Sequence, residues 1–75
     1  MKVEEVRKQV GHRIKVRRVE LDLQQKELAE KIGASQSQIS EWELGSRAMR
    51  IEHAMILAEA LQTTVAYLAG EAPRV

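Results

Sequence analysis

The stretch Gln25–Leu44, QKELAEKIGASQSQISEWEL, decides the fold of this chain. Leu28, Ala29 and Ile32 stand at i, i+1 and i+4, so they line one edge of a short helix. Gly33 follows directly and suits a helix end that needs a positive φ. Two residues later Ser35 offers a hydroxyl N-cap. Ile39 and Trp42 then mark the buried edge of a second short helix. Two helices joined this tightly need a small residue where their backbones approach, and Ala29 fills that place. The unit is a helix-turn-helix. Its second helix turns Ser37, Gln38, Ser40 and Glu41 outward, a hydrogen-bonding face with almost no apolar surface.

Working outward, the rest of the chain also reads as helix, with no strand alternation. Val3, Val6, Val10, Ile14 and Leu21 fall in one helical stripe, which predicts helix 1 over residues 3–21. Gly11 interrupts it at about 1 kcal/mol relative to Ala. Either it permits close packing or the stable part of the helix begins there. Asp22 takes the helix-ending position, where Gly or Asn is easier. Helix 2 is predicted over 25–32 and helix 3 over 36–43. After a loop at 44–50, helix 4 spans 51–61 with Ala54, Leu57, Ala58 and Leu61 inward. Its N-cap is Arg50, a poor one that predicts a fraying start. Thr64 caps a last short helix through Ala69, Gly70 ends it, and residues 71–75 form a loose tail.

Seventy-five residues make one domain, near the lower limit for a self-supporting core. With no Phe and one Trp, that core must come from Leu, Ile, Val, Ala and Met. It supplies about 3–5 kcal/mol, so dimerisation would help hold it together. No cysteine is present, so neither a disulfide framework nor a thiolate metal site is expected, consistent with a cytoplasmic protein. No run approaches the roughly 18 apolar residues of a membrane span, and the first residues lack a signal-peptide core. Net charge is +1, but residues 1–31 hold nine Lys/Arg against six Asp/Glu, while 32–75 hold three against five. The densest cluster is Arg13, Lys15, Arg17 and Arg18. It is either a solvated helix face or, beside a helix-turn-helix, a flank of phosphate contacts.

QQKELAEKIGASQSQISEWELGSR, residues 24–47, resembles the helix-turn-helix of the Cro/C1-type (XRE-like) family, which includes phage repressors and restriction–modification controller proteins. The similarity runs from about Gly11 to Gly70. It takes in Gln25, Leu28-Ala29, Gly33, Ser35, Gln36, Ile39, Glu43 and Gly45, then LAEAL and the Thr63–Leu68 ending. The resemblance implies an all-α, five-helix, lambda-repressor-like domain that binds double-stranded DNA.

Major-groove helices read base edges near their N-termini, and Gln36, Ser37 and Gln38 occupy that end. Gln can pair with adenine N6 and N7, worth about 1–3 kcal/mol of discrimination. The resemblance assigns base contact to Gln36. Glu41 sits at the centre of the face, where it either accepts from cytosine N4, orients a neighbouring Arg, or is a bystander. Gln25 opens helix 2, whose free N–H groups suit an anion, and the resemblance implies a phosphate contact there. Arg47 and Arg50, in the loop after helix 3, correspond to backbone contacts in relatives. Ser35, Ser40, Arg13 and Arg17 complete the phosphate candidates. For each, plain solvation is the competing reading.

Arg18 projects toward the apolar stripe of helix 1, and Glu43 lies within about 40° of Ile39 on the inner side of helix 3. A lone charge there is costly, so a structural Arg18–Glu43 ion pair is expected, as the resemblance also implies. Trp42 reads as core. His12 and His53 read as solvated, since they lack the spacing of a metal site. No Gly-rich phosphate loop, nucleophile elbow or carboxylate dyad appears, so neither enzymatic activity nor a cofactor is expected. A short reading helix implies a symmetric homodimer on a pseudo-palindrome, with Ile56, Val65 and Tyr67 as candidate contacts. The rival is a protein-interaction module on the same fold, an antitoxin or co-regulator, favoured by near-neutral charge and by Glu41.

Overall fold

The computed structural model describes residues 1–72; the last three residues of the expected tail lie outside them. Five helices follow one another: α1 (Val3–Glu20), α2 (Gln25–Ile32), α3 (Gln36–Leu44), α4 (Ile51–Ala60) and α5 (Val65–Leu68). They close around Ile14, Leu28, Ala29, Ile39, Trp42, Leu57, Ala58, Leu61 and Leu68. Ala29, buried between α2 and its neighbours, is the small residue that the tight corner requires.

Gly11 decides between its two readings. A Cβ placed there would stand 2.2 Å from the Trp42 carbonyl oxygen and 2.6 Å from that of Glu43. α1 therefore crosses the end of α3 backbone to backbone, and the helix runs unbroken through the crossing from Val3.

The valine stripe does not stay buried along its whole length. At 1.5 Å per residue, α1 is about 27 Å long, close to the longest dimension of the molecule, 32 Å. The four shorter helices cover it only from Val10 onward. Val3 and Val6 are left 59% and 36% exposed.

Helix ends follow local chemistry. Gly33 takes φ 70° and its neighbour Ala34 donates to Ala29 O, closing α2. Asp22 adopts φ 59° after α1 without being glycine. α4 begins at Ile51 with Arg50 extended and no side-chain cap, so its first N–H groups depend on solvent. Its other end turns through Gln62 at φ 56°. No glycine helps here: Thr63 N–H donates to Ala58 O and Gln62 N–H to Glu59 O, and the carbonyls of Leu61 and Gln62 are met from across the molecule. Arg17 Nε donates to Leu61 O at 2.8 Å and Nη2 to Gln62 O at 3.3 Å. A cation at a helix C-terminus also meets the negative end of its dipole. Arg17→Ala is expected to lower stability by about 1.5–3 kcal/mol, the range for a hydrogen bond to a charged group. Urea unfolding would measure it, and an unchanged midpoint would show that the contact is ornamental.

Candidate nucleic-acid interface

α3 starts on a reciprocal cap. Ser35 Oγ accepts from Gln38 N–H at 3.1 Å, and Gln38 Oε1 accepts from Ser35 N–H at 3.0 Å. The Ser-x-x-Gln spacing of a capping box is the sequence signal for this. It engages Gln38, one of the expected base readers, through its amide oxygen. A bidentate adenine contact needs both Oε1 and Nε2, and here Oε1 is taken by the backbone. Ser35, expected at a phosphate, is committed to the same cap, its hydroxyl also lying 3.4 Å from Gln38 Oε1.

Gln36 and Ser37 are different. Both are exposed on the first turn of α3, and neither has a partner among the described residues. With Gln25, Ser40 and Glu41 they line an open polar groove of about 360 Å³. Five residues from the candidate set are thus brought onto one surface by the tight corner between α2 and α3.

Gln25, the first residue of α2, reaches across that corner, its Nε2 donating to Glu43 Oε1 at 3.0 Å. Glu43 in turn receives Arg18 Nε at 2.6 Å on Oε2 and Arg18 Nη2 at 3.1 Å on Oε1. Arg18 Nη1 donates to Leu23 O at 2.7 Å, tying in the α1–α2 turn. Glu43 is 9% exposed, so this carboxylate is buried but saturated with donors. The resulting network fixes Gln25, α3 and the end of α1 together, a link that residue spacing does not reveal. Glu27 occupies part of the α2 N-terminus, accepting from Gln24 N–H at 2.9 Å.

The loop after α3 folds back on Glu41. Arg47 Nε donates to Glu41 Oε1 at 2.8 Å, and Ser46 N–H donates to Glu41 O. Glu41 therefore orients an arginine beside the groove. Both partners are nearly half exposed, so the pair positions more than it stabilises. Arg50 is exposed at the α4 N-cap.

Arg13 and Arg17 are not part of this surface. In place of the expected phosphate contact, Arg17 caps α4. Arg13 lies against Gly70 after α5, with Nη1 buried and lacking a partner among the described residues. Of the basic cluster on α1, Lys15 alone is fully exposed. His53 also departs from expectation: it is half-buried, its ring tilted 47° against Trp42 with centroids 5.0 Å apart, while Trp42 Nε1 donates to Ala48 O. Of the expected dimer residues, Ile56 is exposed beside Lys31, Ile32 and Glu59. Val65 and Tyr67 are half-buried against the core.

Residues 14–68 match the helix-turn-helix family. The chain is a Cro/C1-type helix-turn-helix protein. Its fold is shared with the P22 c2 repressor, solved in complex with synthetic operator 9T, at a TM-score of 0.79 and 33% identity over 84% of this chain and 96% of that one. It is shared with the clp gene regulator ClgR from C. glutamicum at a TM-score of 0.84 and 27% identity, over 88% of this chain and 85% of that one. The restriction–modification controller protein C.AhdI from Aeromonas hydrophila aligns at a TM-score of 0.84 and 25% identity, over 91% and 99%. No curated protein sequence matches significantly. Family and neighbours together make this helix-turn-helix protein a DNA-binding transcriptional regulator.

Proposed function

We propose that the protein inserts α3 into the major groove and reads sequence there as a homodimer on a pseudo-palindromic operator, within the cytoplasm. The observation that carries this is the state of Gln36 and Ser37. They are exposed and unpartnered at the N-terminal turn of α3, where a groove-bound helix meets base edges. Gln36 makes the adenine-type bidentate contact, and Ser37 supplies a tolerant hydroxyl. Gln25, steadied by Glu43, and Ser40 flank it at the phosphates. Arg47, oriented by Glu41, and Arg50 meet the sugar-phosphate backbone. Ile56, with the free edges of Val65 and Tyr67, forms the contact between copies. Among the described residues no helix is long and apolar enough to cross a membrane.

Selection from a random duplex pool near physiological salt tests this, with Gln36→Ala beside the wild type. An enriched inverted repeat is expected, with one or two positions relaxing in the variant by about 1–3 kcal/mol each. With only Arg47 and Arg50 of each copy on phosphates, the logarithmic salt slope should be shallow, about −4 for a dimer.

One observation favours a second reading. Arg13, Arg17 and Arg18 are all turned inward, which removes much of the basic flank from the surface. A protein-interaction module on the same fold needs no such flank. A folded protein that enriches no sequence would displace the DNA reader in favour of that module, whose partner a capture experiment would then identify.

A further inference from the structure

A second groove, about 380 Å³ and mostly apolar, adjoins the polar one through the Arg47–Glu41 pair. Its walls are Val3, Val6 and Val10 of α1 facing Ile51 and Ala54 of α4, with Trp42 among the lining residues between them. We propose that this groove docks an acidic amphipathic helix of a partner protein.

Three features point to that occupant. The valines recur at i, i+3 and i+7, a ladder that presents one helical face. Val10 packs against the core at one end of this ladder. Yet Val3 and Ile51 stand 59% and 61% exposed, apolar surface with no partner in the fold. The second feature is shape. Two helices flank an open trough, which suits a third helix laying its own apolar ladder between them. The third is charge. The groove is lined by Arg7, Arg47 and Arg50 and by no acidic residue. Arg47 is held by Glu41, whereas Arg7 and Arg50 have no ion-pair partner among the described residues.

Charge also decides between occupants. A second copy docked groove to groove would bring two sets of these arginines together, a like-charge juxtaposition that disfavours the pairing. A helix with Leu-type anchors and flanking glutamates satisfies the valines and the arginines at once. The contact is small, so the complex belongs among weak, transient ones. Arg47 and Arg50 are also the proposed phosphate contacts. An occupant would therefore compete with DNA, a consequence that rests on the DNA reading, whereas the docking does not.

The test uses two Ala-rich helical peptides of about 15 residues, each with Leu at i, i+3 and i+7. One carries flanking Glu, the other flanking Lys. The fluorescence of Trp42, the single tryptophan, reports groove occupancy, and amide chemical shifts locate it. The Glu peptide is expected to bind at least about tenfold more tightly than the Lys peptide. The double variant Arg7→Glu with Arg50→Glu should reverse that order. Ile51→Glu, at an exposed position that leaves the fold intact, should abolish binding of either. Equal binding of both peptides, no saturable response, or shifts confined to other surfaces would overturn the proposal. A dimer lost in Val6→Glu would also overturn it, assigning the groove to a second copy. Glu-peptide binding by a protein that enriches no DNA sequence would leave the groove assignment standing while the DNA reading fails.

Discussion

Gly11→Ala is expected to lose about 3 kcal/mol or more, enough to depress the thermal midpoint by roughly 12–24 °C in a domain of this size. Two effects oppose each other at this position. Helix propensity favours Ala by about 1 kcal/mol in an interior turn. Packing forbids it, because the new methyl would lie 2.2 Å from the Trp42 carbonyl oxygen and 2.8 Å from the Glu43 carbonyl carbon. Overpacking of a core commonly costs about 1–3 kcal/mol when side chains can give way. Here the obstruction is backbone, so α1 must move bodily off the end of α3, and packing wins. Gly33→Ala provides the control. That glycine has φ 70° and open space around it, so the alanine incurs only left-handed strain of about 1–2 kcal/mol. Thermal unfolding of the two variants should rank them clearly. A raised midpoint for Gly11→Ala would mean that the helices cross at a greater separation.

Glu43→Ala is expected to cost about 3–5 kcal/mol, the range for stranding one member of a buried ion pair. Arg18, with a side chain only 12% exposed, would keep its bond to Leu23 O and lose both carboxylate contacts. The double replacement Arg18→Met with Glu43→Leu removes both charges and should restore stability to within about 1 kcal/mol of the wild type, because neither desolvation penalty remains. DNA affinity should not return with it. Gln25 would still lack the oxygen that holds its amide at the edge of the polar groove. Urea unfolding together with DNA titration separates the two contributions. If Glu43→Ala changed neither stability nor affinity, the network would have no structural role.

These two positions show how legibility divides along the chain. The helices were readable because their signals lie within a turn or two of the residues they act on. Apolar spacing located α2, and Gly33 and Ser35 closed and opened the helices on either side of the corner. The inward projection of both Arg18 and Glu43 was likewise a local property, available from helical geometry. The polar set Gln25, Gln36, Ser37, Ser40 and Glu41 could be named because a tight corner leaves few ways to present a helix face.

The basic cluster was not readable in this way. Arg13 and Arg17 look like free cations in sequence, but the carbonyls that engage Arg17 belong to residues 61 and 62. Only packing brings the turn after α4 against α1. Gln38 was a lesser case, since its capping spacing is visible but competes with an equally reasonable base contact. The exposure of Val3 and Val6 was invisible for a different reason. An apolar stripe states which face of a helix seeks cover, whereas the length of the neighbouring helices decides how far that cover extends. Local periodicity and capping thus determined the five helices and the polar face of α3. The tertiary structure alone decided which charges remain free and which apolar residues stay uncovered, because both depend on groups far away in the chain.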